Sequence, residues 1–205
     1  MKALLVVDVQ NDFLPGGALA VSRGDEVVAV ANAAMREFEL VVATQDWHPA
    51  DHGSFASRHP GRAPGETVRL GEVDQVLWPD HCVQGTPGAE FAPGLDTRRF
   101  AAVFRKGMDP SVDSYSGFFD NRRRGSTGLA GYLREKGVGE VFILGLATDY
   151  CVKRTALDAR AEKFAARLLL EGCRGVELRA GDGERAVEEM RRAGVEVLLG
   201  AYAVH

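Results

Sequence analysis

Short aliphatic runs alternate along this chain with longer segments of helical periodicity. The aliphatic runs lie at 3–7, 40–44, 101–104, 141–144, 166–170 and 195–199. The helical segments lie between them at about 25–39, 127–136, 150–163 and 182–193. Continuous apolar runs of this length are typical of parallel strands that are buried on both faces. The alternation therefore predicts an α/β fold in which helices cover both faces of a doubly wound parallel sheet.

The chain length of 205 residues suits a single domain. One segment, at about 45–100, has little periodicity but holds both tryptophans, four of the five histidines and six of the eight prolines. So long a connection in a compact domain is usually either functional or disordered, and the tryptophans argue against disorder. We therefore predict one domain over 1–205, with a ligand-binding excursion at about 45–100.

Charge and cysteine content narrow the class of protein. A formal net charge of −4 provides no broad basic surface for nucleic acid or an anionic membrane. No apolar run approaches the length of a membrane span, and the short first run ends at Asp8, unlike the core of a signal peptide. Cys82, Cys151 and Cys173 are an odd number without CxxC spacing, which indicates neither a disulfide framework nor a zinc ribbon. We expect a cytoplasmic protein with reduced thiols and without nucleic-acid or membrane partners.

Reactive side chains follow four of the predicted strands. Asp8, Asp46 and Lys106 come after the first three strands, and the turn at 148–151 comes after the fourth. Ligands of open parallel sheets bind at this edge, beyond the carboxyl ends of the strands. Cys151 begins a helix there, where the helix dipole favours a thiolate and backbone amides can stabilise an oxyanion. The alternative is a small buried cysteine packed at the junction, and position alone does not decide between them.

A cysteine nucleophile needs a group that takes its proton and returns it to the leaving amine. Outside the long excursion, no histidine lies near the strand ends, so Asp8 is the predicted base. A buried carboxylate requires a nearby cation, which Lys106 can supply. Whether the second or the third strand lies beside the first is open at this point, and it affects how easily Lys106 reaches Asp8.

The excursion contains a candidate metal site. Asp46, His48 and His52 lie within seven residues, and His81 follows further on. Side chains two apart on an extended segment point to the same side, so Asp46 and His48 can bind one ion. Two or three imidazoles with one carboxylate suit zinc, iron or manganese rather than magnesium or calcium. Histidines are common in loops, however, so the spacing alone leaves metal binding open.

Taken together, these motifs resemble the nicotinamidases of the isochorismatase-like cysteine hydrolase family. The matching stretches occur in the family order from residue 2 to about 170. They are LVVDVQNDF at 5–13, TQDWHP at 44–49, HGSF at 52–55, WPDHCVQGTPGA at 78–89, FRKG at 104–107, YSGF at 115–118 and GLATDYCV at 145–152. The combination is highly specific, whereas each stretch alone would not be.

The resemblance implies a three-layer α/β/α sandwich around a six-stranded parallel sheet. It implies a catalytic triad of Asp8, Lys106 and Cys151. The backbone amides of Ala147 and Cys151 would form an oxyanion hole, with a cis peptide bond between Leu146 and Ala147.

The resemblance also implies a metal site and a substrate wall. One divalent transition metal ion is expected, zinc first, with iron or manganese as alternatives. Its ligands map to Asp46, His48 and His81, and His52 matches a position that binds the metal in some members only. An aromatic wall around the pyridine ring of the substrate maps to Phe13, Trp78 and Tyr115.

The implied activity is hydrolysis of nicotinamide to nicotinate and ammonia through a cysteine thioester, in NAD salvage. Within the family, the alternative is another amidase, metal-dependent or acting on carbamoyl or maleamate-type substrates. A true isochorismatase is disfavoured, because those enzymes generally lack the cysteine found at Cys151. A nucleotide-binding module is also disfavoured, since no GxGxxG or GxxxxGK[ST] motif follows the first strand. The sequence leaves open whether the protein forms a homo-oligomer.

Overall fold

The computed structural model describes residues 1–199. Within them lie eight strands: β1 (Lys2–Val7), β2 (Leu40–Asp46), β3 (Thr67–Leu70), β4 (Val73–Val76), β5 (Ala102–Lys106), β6 (Glu140–Leu146), β7 (Ala165–Arg174) and β8 (Glu196–Leu198). Four α-helices are present in the same part of the chain: α1 (Glu26–Met35), α2 (Leu129–Glu135), α3 (Lys153–Ala161) and α4 (Asp182–Arg192).

Six of the strands form one sheet in the order β5-β2-β1-β6-β7-β8. Every neighbouring pair in it is parallel. Strands β1, β2 and β6 are buried at nearly every position, as expected for strands covered on both faces. Helix α1 packs against β1, β6 and β7, and α3 packs against β7. The predicted α/β fold with a six-stranded parallel sheet is therefore confirmed.

The order of the strands answers the question that the sequence leaves open. Strand β2 lies beside β1, and β5 lies one strand further out. Lys106, at the end of β5, must therefore reach across β2 to approach Asp8. It can do so because β2 and β5 pair in register up to their last residues, Asp46 and Lys106.

Element boundaries differ from the prediction in several places. Helix α1 ends at Met35, four residues before the predicted end at 39, and Phe38 then packs on Phe142 with a ring-centroid distance of 4.9 Å. Strand β7 extends to Arg174, beyond the predicted end at 170. A π-helical turn, Thr148–Val152, precedes α3. Hydrophobic periodicity locates an element better than it locates the residues at which the element ends.

The long excursion is mostly irregular, but it contains an antiparallel hairpin, β3–β4, that the sequence analysis did not predict. Exposed and half-buried positions alternate along β3. Neither β3 nor β4 contains a continuous apolar run, the pattern by which the other strands were predicted. That residues 1–205 form one domain stays a prediction. Within residues 1–199, no helix is long and apolar enough to cross a membrane.

Gly145 allows β1 and β6 to approach closely at the edge of the sheet that carries Asp8. Its φ is +130°, and a Cβ atom at this position would collide with the backbone carbonyl of Val7. A side chain here would push apart the strand ends that precede Asp8 and Cys151. The close approach therefore depends on glycine.

Candidate active site

The side chains of Asp8, Asp46, Lys106 and Cys151 meet at the carboxyl ends of the parallel strands. The Lys106 Nζ atom lies 2.9 Å from Asp8 Oδ2, 2.9 Å from Asp46 Oδ1 and 3.4 Å from Cys151 Sγ. It also donates a hydrogen bond to the backbone carbonyl of Ser114 at 2.9 Å. All of these side chains are buried. The structure thus brings the three predicted triad residues together around one ammonium group.

Asp8 has an unusual backbone conformation. Its φ is +48°, in the left-handed region that residues other than glycine rarely adopt. The Thr44 hydroxyl donates a hydrogen bond to Asp8 Oδ1 at 2.6 Å, while Oδ2 faces Lys106. Strained backbone of this kind persists where surrounding contacts over-determine it, which happens frequently at active sites.

Burial dominates the electrostatics of the three triad groups. It raises the pKa of the Asp8 carboxyl above its ordinary value, although Lys106 opposes that shift. It also raises the pKa of the Cys151 thiol well above its ordinary value, again against the effect of Lys106. For Lys106 itself, burial disfavours the charged form, but the Asp46 and Asp8 carboxylates outweigh it and hold the pKa well above its ordinary value.

These shifts correct one expectation from the sequence. A position at the start of a helix predicts a stabilised thiolate at Cys151, but burial among carboxylates favours the neutral thiol instead. Lys106 stays charged. The surroundings thus favour a neutral thiol at Cys151 and a charged ammonium at Lys106, and attack requires that the thiol proton move to an acceptor.

Asp46 links this group to the histidines. Its Oδ1 atom pairs with Lys106, and its Oδ2 atom lies 3.1 Å from His48 Nε2 and 3.5 Å from His81 Nε2. Burial disfavours the charged form of Asp46, but His48 and Lys106 outweigh this and hold its pKa well below the ordinary value. The Asp46 carboxylate therefore contacts Lys106 through one oxygen and the two histidines through the other.

Asp46, His48 and His81 fit a metal ion. Two ligand atoms about 2.1 Å from a common ion, at tetrahedral or octahedral angles, lie roughly 3.0–3.4 Å apart, close to the separations found here. The Nδ1 atoms of His48 and His81 lie 2.9 Å from the Gly107 carbonyl and 2.7 Å from the Pro79 carbonyl. As donors there, both rings direct Nε2 towards Asp46. His48 Nε2 is buried and lies 3.1 Å from Asp46 Oδ2, a separation that suits two ligand atoms of one cation.

Gly107 is required for this arrangement. Its φ is +66°, and a Cβ atom there would collide with the His48 ring. The backbone of the excursion fixes the same histidine from the other side, because the His48 amide donates to the Cys82 carbonyl at 3.0 Å. Irregular chain is thus held by hydrogen bonds in place of a strand ladder.

His52 lies beside this group but is not part of it. Its ring centroid is 4.3 Å from that of His48, and its Nε2 atom is buried without a hydrogen-bond partner. Its Nδ1 atom lies 2.7 Å from the Ser54 hydroxyl and 3.2 Å from the Ser54 amide. The ligand atoms of His48, His52 and Asp113 form a second group, in which all lie within 4.8 Å of one another.

Cys151 lies in the wall of a cavity. Seven residues that the sequence analysis assigned to the site line it: Phe13, Asp46, Trp78, His81, Tyr115, Ala147 and Cys151. Asp8, Lys106, His48 and His52 are not among its lining residues. The Leu146–Ala147 peptide bond is cis. The cavity therefore combines a thiol, an aromatic wall and two of the candidate metal ligands.

Four further lining residues were not predicted: Leu19, Asp113, Tyr150 and Val176. Tyr150 extends the aromatic wall, with ring centroids 4.8 Å from Trp78 and 5.4 Å from Tyr115. Its position next to Cys151 in the sequence is a signal that could have identified it. Leu19 and Val176 lie in segments without periodicity or motif, and nothing in the sequence points to them.

The other two cysteines lie outside this cavity. Cys82 and Cys173 are buried and free. Burial raises the pKa of Cys173 to about 12 and that of Cys82 well above its ordinary value. Neither lies among the residues that line the cavity.

Comparison with known proteins gives a consistent result. The profile of the isochorismatase domain matches residues 2–201. A nicotinamidase of Escherichia coli is 50% identical over 197 residues, which cover 94% of this chain and 92% of that protein. The yeast nicotinamidase solved with the inhibitor nicotinaldehyde superimposes with a TM-score of 0.91 at 31% identity, covering 98% of this chain and all of the other. The pyrazinamidase of Pyrococcus horikoshii, solved in complex with zinc, has a TM-score of 0.80 at 41% identity, covering 97% and 99% of the two chains.

Proposed function

The chain belongs to the isochorismatase domain family, and from this we propose that it is a nicotinamidase, which hydrolyses nicotinamide to nicotinate and ammonia. The observation that carries the proposal is the position of Cys151. Its thiol lines an aromatic cavity and lies 3.4 Å from Lys106 Nζ, which in turn pairs with Asp8 at 2.9 Å. A flat aromatic carboxamide suits such a cavity, and a 50% identical protein of Escherichia coli is a nicotinamidase.

Asp8 is the proton carrier of the reaction that we propose. It removes the thiol proton as the Cys151 sulfur attacks the carboxamide carbon. The thiol does not ionise beforehand, because burial keeps its pKa high. Asp8 then gives this proton to the amine nitrogen, the C–N bond breaks and ammonia leaves. The product of this half-reaction is a nicotinoyl thioester on Cys151.

Hydrolysis of the thioester repeats the same proton transfers. Asp8 accepts a proton from water as the water oxygen attacks the thioester carbon, the C–S bond breaks, and Asp8 returns that proton to the Cys151 sulfur. In both halves, negative charge develops on the carbonyl oxygen. The backbone amides of Ala147 and Cys151 are the proposed donors to that oxygen, supported by the position of both residues at the cavity wall.

Lys106 keeps these steps electrostatically feasible. It stays protonated, since two carboxylates within 2.9 Å favour its charged form. Its charge stabilises Asp8 before proton transfer and the sulfur as its proton departs. Because the groups interact strongly, their titration belongs to the set rather than to any single residue.

Asp46, His48 and His81 would hold a divalent metal ion, which we propose is zinc, with iron or manganese as alternatives. When bound, such an ion supplies Lewis-acid chemistry and a ligand position for the pyridine nitrogen of the substrate. The zinc complex of a 41% identical pyrazinamidase supports this assignment. His52 stays a candidate additional ligand.

Phe13, Trp78 and Tyr115 are the proposed wall around the pyridine ring. The Phe13 ring lies 5.6 Å from that of His81, so the wall adjoins the candidate metal ligands. The Trp78 indole donates a hydrogen bond to the Tyr115 hydroxyl at 3.2 Å, which fixes both rings relative to each other. Rigid aromatic faces restrict the substrate to a flat ring and point its carboxamide at Cys151.

The experiment that tests the proposal is an ammonia-release assay of the purified protein. Nicotinamide, pyrazinamide, maleamate and a carbamoyl amine would be compared, each at several concentrations. We expect the highest kcat/KM for nicotinamide. A higher value for maleamate or the carbamoyl amine would assign the chain to another amidase of the family, and no ammonia from any substrate would argue for a binding protein. We further propose that the enzyme works in the cytoplasm and recycles nicotinamide for NAD synthesis.

A further inference from the structure

Asp113 is a buried carboxylate at the cavity with no role in the reaction described so far. It lies in the segment between Lys106 and Tyr115 and is only 2% exposed. Its Oδ1 atom accepts a hydrogen bond from the Ser114 amide at 2.7 Å, and its Oδ2 atom accepts one from Gln75 Nε2 at 2.9 Å. Within residues 1–199 it has no ion-pair partner. A buried charge of this kind is costly unless something compensates for it.

The surroundings of Asp113 indicate what compensates for it. It lines the same cavity as Asp46 and His81, and its carboxylate lies within 4.8 Å of ligand atoms of both His48 and His52. His52 Nε2 is buried without a hydrogen-bond partner, whereas His48 Nε2 faces Asp46 Oδ2 at 3.1 Å. These two imidazole nitrogens and the Asp113 carboxylate, which has no ion-pair partner within residues 1–199, form a pocket suited to a cation.

The formal charge around the site points the same way. Three buried carboxylates, Asp8, Asp46 and Asp113, face one buried ammonium, Lys106. Carboxyl groups therefore outnumber the ammonium group among the buried side chains of the site. The carboxylate of Asp149 does not belong to this set, because the backbone amides of 176 and 177 hold it at 2.9 and 2.8 Å, away from the cavity lining.

Asp113 cannot complete an independent second site with these histidines. The Nδ1 atom of His48 is engaged with the Gly107 carbonyl, so only Nε2 is available, and that atom already faces Asp46. One nitrogen lone pair binds one ion. The Asp113 carboxylate would lie near that ion but forms neither a hydrogen bond nor an ion pair with His48. It would therefore act on the ion through its charge.

We propose that Asp113 is an outer carboxylate of the cation site, a positioning residue that raises the affinity of Asp46, His48 and His81 for a divalent ion without binding it directly. This rests on the metal dependence in the proposed function. Asp113 also anchors the substrate wall, because Gln75 Nε2 lies 2.9 Å from both its carboxylate and the Tyr115 hydroxyl. It thereby couples the cation site to the wall that holds the ring.

The proposal makes an unusual prediction about stability. Asp113 is buried without an ion-pair partner in the described part of the chain, so we expect Asp113→Asn to raise the Tm of the metal-free protein. The same substitution should weaken zinc binding by about 10–100-fold, the usual effect of losing an outer carboxylate, and reduce the rise in Tm on adding zinc. A residue with a purely structural role would lower the Tm of the metal-free protein and leave zinc affinity unchanged.

The experiment measures zinc affinity by competition with a chromogenic chelator, together with Tm before and after zinc addition. Asp74→Asn is the matched control. Asp74 lies in strand β4, next to Gln75, and its side chain is 77% exposed, so the substitution removes a carboxylate outside the cation site. It should leave both quantities unchanged. Asp113→Glu retains the charge and should keep zinc affinity closer to wild type than Asp113→Asn does.

Three outcomes would overturn the proposal. They are unchanged zinc affinity in Asp113→Asn, equal losses in the Asn and Glu variants, and a metal-free Asn variant that is less stable than wild type or unfolded. If the wild-type protein itself binds no zinc, iron or manganese, the metal dependence of the proposed function fails instead. The two failures are therefore distinguishable.

Discussion

The two halves of the site are held by different kinds of structure. Asp8, Lys106 and Cys151 form a nucleophile half, which the register of parallel strands and the turn after β6 position. His48, His52 and His81 form a histidine half, which irregular chain carries and backbone hydrogen bonds fix. Asp46 belongs to both, with one oxygen directed to each. We expect bond breaking to depend on the nucleophile half and ligand binding to depend on the histidine half.

Removal of the nucleophile should have the largest effect. Cys151→Ala should reduce kcat for nicotinamide by about 10⁴-fold or more, because no other group can form the thioester. Mass spectrometry of wild-type enzyme quenched during turnover should detect a nicotinoyl adduct on Cys151. Cys173→Ala is the control and should retain activity. An adduct on Cys82 or Cys173, or an active Cys151→Ala variant, would exclude the proposed nucleophile.

Loss of the proton carrier should rank second. Asp8→Asn keeps the shape of the side chain but cannot accept a proton, so kcat should fall by about 100-fold or more. Circular dichroism should show an intact fold, since Thr44 can still donate to the Asn oxygen. A near-normal kcat would mean that another group is the base, and the nucleophile half would then not be self-sufficient.

Metal removal tests whether the halves are separable. A chelated enzyme should lose about 10–100-fold in kcat/KM and regain it with zinc, iron or manganese. Iodoacetamide should nevertheless alkylate Cys151 at a similar rate with and without metal, because the ion contacts the other half.

Single histidine variants sharpen that test. His48→Ala and His81→Ala should each lose stoichiometric metal, whereas His59→Ala, outside both ligand groups, should keep it. His52→Ala should lose metal only if His52 is a direct ligand. Full activity in protein shown by elemental analysis to be metal-free would refute the role of the histidine half.

Part of the pH dependence should come from Asp8 in the nucleophile half. Asp8 must be ionised to act as the base, so kcat/KM should fall by about tenfold per pH unit below its pKa. Burial raises the pKa of Asp8 above its ordinary value of 3.8, so the acid limb of the kcat/KM profile should lie above pH 3.8. Lys106 stays charged throughout, since its pKa lies well above the ordinary value. An acid limb at or below 3.8 in protein that remains folded would contradict this assignment.

The same division explains how much the sequence predicts. The sheet and the edge that carries Asp8, Lys106 and Cys151 follow from apolar periodicity, because parallel strands bring their carboxyl ends together. Asp113 and Val176 come from segments without periodicity, so their positions depend on tertiary packing that no local pattern records. The direction of the Cys151 pKa shift was also unpredictable, since the depth of burial is a property of the folded chain.

The smallest expected effect concerns a cation–π contact between Arg105, a neighbour of Lys106, and Trp47, a neighbour of His48. The Arg105 guanidinium, next to Lys106 on β5, stacks over the Trp47 ring at 3.9 Å, and Trp47 lies between Asp46 and His48. Arg105→Ala should lower the free energy of unfolding by about 0.5–1 kcal/mol, the range for a partly exposed cation–π contact. Zinc affinity should change by less than about threefold, since inner hydrogen bonds fix His48 independently.

Arg98→Ala is the matched control, because Arg98 is exposed and its ion-pair partner within residues 1–199 is Asp96. It should change the free energy of unfolding by less than about 0.5 kcal/mol, as surface ion pairs usually do. Equal destabilisation by both variants in urea titrations would remove any special role for the Trp47 stack. A loss of zinc affinity greater than about threefold in Arg105→Ala would show that the contact between Arg105 and Trp47 helps to position His48. The structures that hold the two halves would then not be independent.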